Sequence, residues 1–323
     1  FDLTPGNTNE QKTLLPLEKR IMRDFALSKL VVCTDAGLSS KTNRSFNSFA
    51  NRAYVTVQSL KKLKQHLKDW ALDPQAWHLN GSSTVFNLND IDLEDNTAVY
   101  TKERWIHENG LEERLIISFS PKFKRYQETI RGRQIERACH QIEVKAPARS
   151  AKNPNDPARF IQELKTTPSG EVAQQRHLSL DLDKIDNERQ YDGFYGVVTN
   201  LEDDVQTILR INQRRWEIEE SFRIMKSEFK ARPVYLQNEE RIEAHFLTCF
   251  MALTLFRILE KRLNETISAE TLIQTLREMD LHPIRAQGYI PLFKRTALTD
   301  KLQKIFGYQL STEIIDMDTM KKN

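Results

Sequence analysis

An α/β fold is what this sequence predicts, and three features predict it. Through residue 58, apolar runs of strand length alternate with segments of helical period. Strand-like runs recur between residues 97 and 198. Beyond them the pattern is helical almost to the end, where turns carry the glycines and prolines.

In order, Asn9 to Phe25 carries Leu14, Leu17, Ile21 and Phe25 at helical spacing, with Thr8 as its cap, and leads into a strand from Leu30 to Thr34. A helix from Asn43 to Ala50 and a strand from Ala53 to Val57 follow, as in a parallel sheet. Ser59 to Trp70 is amphipathic, and its Lys61, Lys62, Lys64 and Lys68 read as a solvated helix face. Thr97 to Thr101, Arg104 to His107, Arg114 to Ser118 and Gly193 to Val198 read as strands. One helix then carries Ile208, Ile211, Trp216, Phe222, Met225 and Phe229 as its apolar side, with Trp216 in the core, and Pro233 stops it. A helix from Glu239 to Asn264 should pack against the sheet; its apolar stretch Phe246 to Leu259 contains Arg257, is too short to span a bilayer and reads as buried. Ala269 to Met279 and Thr299 to Phe306 are helices, separated by a Gly-Tyr-Ile-Pro turn at 288–291. The organisation is a first part of the α/β core at 1–58, a strand-rich basic insertion at 59–190, a second core part at 191–264 and a helical C-terminal region at 265–323.

Composition narrows the class of function. Charged residues make up 29% of 323 residues, yet the formal net charge is only +3, so a nucleic-acid surface must be local. Cys33, Cys139 and Cys249 are scattered and odd in number, which argues against a disulfide framework or a zinc site. The composition is that of a soluble intracellular protein, and the first ten residues are polar, unlike a secretory leader. Between Pro121 and Arg159 ten basic residues (Lys122, Lys124, Arg125, Arg131, Arg133, Arg137, Lys145, Arg149, Lys152, Arg159) face four acidic ones, with Phe123 and Tyr126 interleaved. Such a helix suits phosphate contact without base readout, and equally a solvated surface. Pro154 to Pro157 and Thr167 to Gly170 are loop signals.

Two segments carry the chemistry. Arg215, Glu219 and Lys226 recur at four and seven residues, which is one stripe of a helix. A carboxylate between two cations suits a metal beside a polyanion; the same spacing is also that of an ordinary solvated face. Upstream, Leu30-Val-Val-Cys-Thr-Asp35-Ala-Gly puts a carboxylate at the carboxyl end of an apolar strand, where open α/β sheets bind ligands. An Asp before Gly is also a common turn residue.

Both segments resemble DDE-class insertion-sequence transposases. The subgroup's helix reads Tyr, two residues, Arg, three residues, Glu, six residues, Lys, and Arg215, Glu219 and Lys226 fit in register while Asn212 stands where the Tyr would. Asp35-Ala-Gly-Leu resembles the second-aspartate segment; weaker collinear likenesses lie at Pro5 to Glu10, Arg232 to Tyr235 and Arg241 to His245. The resemblance implies a ribonuclease-H-like mixed sheet flanked by helices, interrupted by a strand-rich insertion, with the opening strands of the core and the first aspartate missing. Asp2 does not match that position. It further implies two Mg2+ or Mn2+ ions held by Asp35 and Glu219, with Asp35 bridging them, and phosphate contacts from Arg215, Lys226, Asn212, Lys122, Lys124, Arg125, Arg131 and Arg133. The implied activity is DNA cleavage and strand transfer by an N-terminally truncated enzyme, acting as a homodimer on transposon ends and target in the bacterial cytoplasm, with an upstream companion polypeptide. The alternatives are a catalytically inactive DNA-binding or dimerising remnant, or another ribonuclease-H-like nuclease.

Overall fold

The computed structural model describes residues 2–144, 155–166, 172–285, 287–308, 310 and 314–322, without the side chains of 164–166, 172–177, 319, 321 and 322. Lys145, Arg149, Lys152, Pro154 and the Thr167 to Gly170 loop lie outside the described residues. The chain forms two compact units, one of residues 6–213 and one of residues 1–5 with 214–323.

In the first unit, helix α1 (Glu10–Asp24) is capped by Asn9, one residue after the expected Thr8, because the Asn9 side chain accepts from the Gln11 amide. It leads to β1 (Leu30–Thr34), α2 (Lys41–Asn47, capped by Ser40) and β2 (Arg52–Gln58), and β1 and β2 are parallel as the alternation predicts. The lysine-rich segment is not one helix: a 3₁₀ turn (Leu60–Lys62) precedes α3 (Gln65–Leu72), so that Leu60, Leu63, Leu67 and Ala71 all reach the core. Short strands β3 (Trp77–Leu79) and β4 (Val85–Phe86) follow.

The three expected strands between 97 and 118 are two long ones, β5 (Tyr100–Glu108) and β6 (Leu111–Phe119). Their link is Asn109-Gly110, both with positive φ (55° and 77°), the turn whose twist matches an antiparallel hairpin. Helix α4 (Pro121–Glu143) starts at a proline, β7 (Ile161–Thr166) pairs with β8 (Val172–Leu180), and α5 (Leu182–Arg189), β9 (Phe194–Thr199) and α6 (Val205–Gln213) complete the unit.

One mixed sheet holds this unit, in the order β1-β2-β9-β6-β5-β3-β4. Alternation along its strands feeds two cores. Tyr54, Leu115, Ile117 and Val198 meet Leu60, Leu67 and Trp77 on one face; Ala53, Val55, Ile116 and Val197 meet Ile208 and Leu209 of α6 on the other. β1 pairs with β2 alone among the described strands, so Val31 is 36% exposed and the expected buried run is an edge strand.

The second unit contains α7 (Arg215–Ser227), α8 (Glu239–Arg262), α9 (Ala269–Glu278), β10 (Leu281–Ile284), β11 (Gly288–Pro291), α10 (Ala297–Phe306) and α11 (Met317–Lys322). Residues 288–291 pair with β10 and so are a strand rather than the expected turn. Ile224, Leu253, Phe256, Leu263, Leu272 and Leu302 form the core. α10 has Thr296 and Thr299 as a reciprocal cap and closes on Gly307 at φ 72°, where a residue with a Cβ is strained.

The expected single apolar helix over residues 208–229 is broken at Arg214. Ile208 is buried in the first unit and Ile224 in the second, whereas Trp216 and Phe222 are 56% and 57% exposed, which corrects the placement of Trp216 in the core. After the break, the α7 face that is buried runs through Ile224, with Met225 and Phe229 beside it.

Glu113 has no exposed surface; Arg44 Nη1 donates to both its oxygens at 2.8 Å, and the Tyr54 hydroxyl donates to Oε1. Burial first, then the Glu113 carboxylate, push the Tyr54 phenol far above its usual range. Glu113→Ala leaves the largely buried Arg44 without its carboxylate, and chemical denaturation should show a loss of about 3–5 kcal/mol; Tyr54→Phe should cost about 1 kcal/mol.

Glu18, buried on α1, accepts from Asn47 Nδ2 at 3.1 and 3.0 Å. Burial raises its carboxyl above the usual value, against the lowering effects of Asn47 and Arg52. The folded state therefore binds this proton more tightly than the unfolded chain does. That contribution is present below the unfolded value and is lost as pH rises through the raised one. Glu18→Gln should remove this loss, giving a flatter stability curve from acid to neutral pH in denaturation measured as a function of pH.

Candidate active site and nucleic-acid interface

Asp35 follows the last residue of β1 and is exposed. A chain of hydroxyls fixes its backbone: Thr34 Oγ1 donates to Thr56 Oγ1 at 2.9 Å, and Thr56 Oγ1 donates to the Asp35 carbonyl at 3.2 Å. Its side chain organises the turn that follows, since Oδ1 accepts from the amides of Gly37 at 2.9 Å and Leu38 at 3.2 Å. Gln11 Nε2 and Asn43 Nδ2 hold the carbonyls of Gly37 and Leu38. One oxygen of Asp35 is thus committed to the backbone, and Oδ2 remains to face a ligand. No local pattern singles out Thr34, Thr56, Gln11 and Asn43, because they support Asp35 and its loop only through contacts made in the fold.

On α7 the stripe exists. Glu219 is exposed and receives Arg215 Nη2 at 3.3 Å, and Lys226 is exposed two turns further on. The adjacent carboxylate plays a different part, for Glu220 is tied to Arg257 of α8 at 3.1 Å and to Arg223 at 3.3 Å. Arg257 also pairs with Glu260 at 2.6 Å and donates to Ser221 Oγ and the Glu217 carbonyl. A lone arginine inside an apolar run was the signal for this lock, and it marks the contact between α7 and α8. Asp35 belongs to the first unit and Glu219 to the second.

Asn212, in α6, is buried; its Nδ2 donates to the Tyr195 hydroxyl at 3.3 Å, and it presents no amide to a phosphate in this arrangement. The basic helix α4 divides by partner. Arg131 forms a two-pronged ion pair with Asp192, Lys124 pairs with Glu128 at 2.6 Å, and Arg125 is bound to the Leu93 carbonyl and Asn96. Hydrogen bonding and charge pairing with Asp192 hold the Arg131 guanidinium above its usual value, so its charge is fixed but spent internally. Lys122, Arg133 and Arg137 are exposed on the same helix, near Tyr126 at 61% exposure.

The carboxylates of Asp35 and Glu219 are hard oxygen donors of the kind that Mg2+ and Mn2+ prefer. Among the described residues no group of three or more His, Cys, Asp or Glu is placed to hold a metal, so each of the two carboxylates fits such an ion in donor type alone.

Residues 1–255 match the family model described as a transposase DDE domain. The chain belongs to the DDE transposase family. No curated protein matches it. Family membership accounts for the mixed sheet with flanking helices, and it implies DNA as the substrate and divalent metal as the usual requirement of the family.

In this transposase the two carboxylates are separable from the scaffold. Asp35→Asn keeps the Oδ1 acceptor for Gly37 and Leu38, so its melting temperature should match the parent, while Asp35→Ala should lose about 1 kcal/mol. Glu219→Gln removes only an exposed i,i+4 pair worth about 0.3–0.5 kcal/mol, whereas Glu220→Ala strands Arg257 and should be clearly the less stable in thermal denaturation.

Proposed function

We propose that the chain is the catalytic domain of an insertion-sequence transposase that cuts DNA and transfers strands with divalent metal. The reading is supported above all by the family match over residues 1–255 together with the Arg215, Glu219 and Lys226 stripe, in which Arg215 is half-buried and Glu219 and Lys226 are exposed. In this reading Asp35 offers Oδ2 and Glu219 its carboxylate to the cations, which when bound supply Lewis acidity to the attacking and leaving oxygens. Arg215 lies 3.3 Å from the Glu219 carboxylate and would hold a phosphate beside any cation that Glu219 ligates. Lys226 extends the same face along the strand, and Lys122, Arg133 and Arg137 offer a second, sequence-independent track.

The site needs a third carboxylate. No position here matches the first aspartate of the family, and we assign that ligand to an upstream segment or companion polypeptide. The core parts at 1–58 and 191–264, the insertion at 59–190 and the C-terminal region at 265–323 belong to the same proposal, as do a homodimer on DNA and a place at the bacterial nucleoid. The second reading, a DNA-binding remnant, draws on the two-carboxylate donor set alone.

The test is cleavage of DNA carrying the flanking ends with Mg2+ or Mn2+, for the chain alone and with an upstream acid-bearing segment supplied. Cutting should require that segment and fall to background in Glu219→Gln. Binding without cutting in both cases favours the remnant. Lys122→Ala with Arg133→Ala should weaken binding for every sequence alike, lowering the slope of log K against log salt by about 0.9 for each phosphate no longer neutralised.

A further inference from the structure

Two features of the folded chain lie outside the catalytic reading. By length and apolar composition alone the 24-residue helix α8 is sufficient to cross a bilayer, which corrects the expectation of a short, wholly buried helix. The other is a small cavity inside the first unit, walled by α1, β1, α2, β2 and the loop after Asp35. Val32 pairs with Tyr54 and Thr34 with Thr56, so alternation puts all four on the sheet face that lines it, and α2 contributes Arg44 and Asn47.

Two polar atoms of these residues are buried with no partner among the described residues, Nε of Arg44 and Oδ1 of Asn47. Each side chain is held in place by another of its atoms: Arg44 Nη1 donates to Glu113, and Asn47 Nδ2 donates to Glu18. Neither can turn to another partner without breaking those bonds. Such orphans are costly, and here they lie on the wall of one cavity. The Nε–H requires an acceptor and the amide oxygen requires a donor, so one occupant serving both must do both. An anion accepts without donating, and a metal cation does neither. A cavity of about 10 Å³ has room for one water and for nothing larger.

We propose that this cavity binds a single water molecule that accepts from Arg44 Nε and donates to Asn47 Oδ1 and Thr34 Oγ1. Thr34 is buried, and its hydroxyl, which donates to Thr56 Oγ1, keeps its capacity to accept. Three hydrogen bonds are the usual complement of a buried water. The water joins the network of Glu113, Arg44 and Tyr54 to the pair of threonines that holds the Asp35 carbonyl. The site is built within the first unit and requires neither DNA nor metal, so it stands or falls apart from the catalytic reading.

The experiment is oxygen-17 relaxation dispersion of water on the full chain, which counts internal waters of long residence, with chemical denaturation beside it. Val32→Ile adds one carbon to the cavity wall. It should lower the dispersion amplitude by one water and raise the unfolding equilibrium constant about tenfold, because Arg44 Nε and Asn47 Oδ1 are then left unpaired. Val32→Ala spares all three partners and should retain the water. Equal amplitudes for the parent and Val32→Ile overturn the inference; a more stable Val32→Ile alongside them is the signature of a dry cavity that the added carbon fills. Equal amplitudes with a parent that chloride stabilises at constant ionic strength overturn it in favour of an anion on Arg44. A crystal structure of the parent tests the site without any substitution. Density for one water at about 2.7–3.2 Å from both Nε and Oδ1 is expected, and Arg44 Nε bonded directly to a protein oxygen overturns the assignment.

Discussion

A carboxylate with no access to solvent, Glu113, constrains the first unit. An isolated charge at such a place is intolerable, so Arg44 from α2 and Tyr54 from β2 must both be present when β6 takes its place in the sheet. That requirement ties the parallel β1-β2 pair and its helix to the antiparallel strands. β2 and β6 lie on either side of β9, and the three side chains bridge elements that hydrogen bonding alone would leave independent. Next to this network, Thr56 reaches back to the carbonyl of Asp35, so the acid at the end of β1 rests on a strand whose own position is pinned.

The second unit uses the same chemistry nearer the surface. Arg257 brings Glu220, Glu260, Ser221 and the Glu217 carbonyl to one guanidinium, which fixes the rotation of α7 against α8. Neighbouring acids on one helix thereby acquire different roles: Glu220 is spent on packing, and Glu219, one position away around the helix, stays exposed with Arg215 beside it. Rigid support beneath and an available carboxylate above are what a positioned ligand needs.

Much of the fold was legible because it rests on period. The β1, α2, β2 alternation, the strand at β9 and the helices of the last sixty residues follow from apolar spacing, and the errors have physical causes. Asn109-Gly110 is a hairpin signal that joins two strands, yet the runs beside it, interrupted by charges such as Arg104 and Arg114, read as three. Arg114 is charged within a strand because Glu103 across the hairpin neutralises it. Position 288–291 looks like a turn from its glycine and proline, but an edge ladder of two strands accepts both. Trp216 has the period of a core residue, and the break at Arg214 turns it outward.

By itself the sequence determined the fold class, the family, and the identity of Asp35, Glu219, Arg215 and Lys226 as the candidate groups, because period and motif spacing are local properties of a chain. Tertiary structure alone decided which charges are free. Arg131 and Lys122 are equivalent in the sequence, but Asp192, sixty-one residues from Arg131, consumes one and leaves the other in solvent. It also decided that one oxygen of Asp35 serves its own loop and that Asn212 is buried with its amide donated to Tyr195. Each of these depends on how side chains meet in the folded chain, and no pattern within a single segment encodes them.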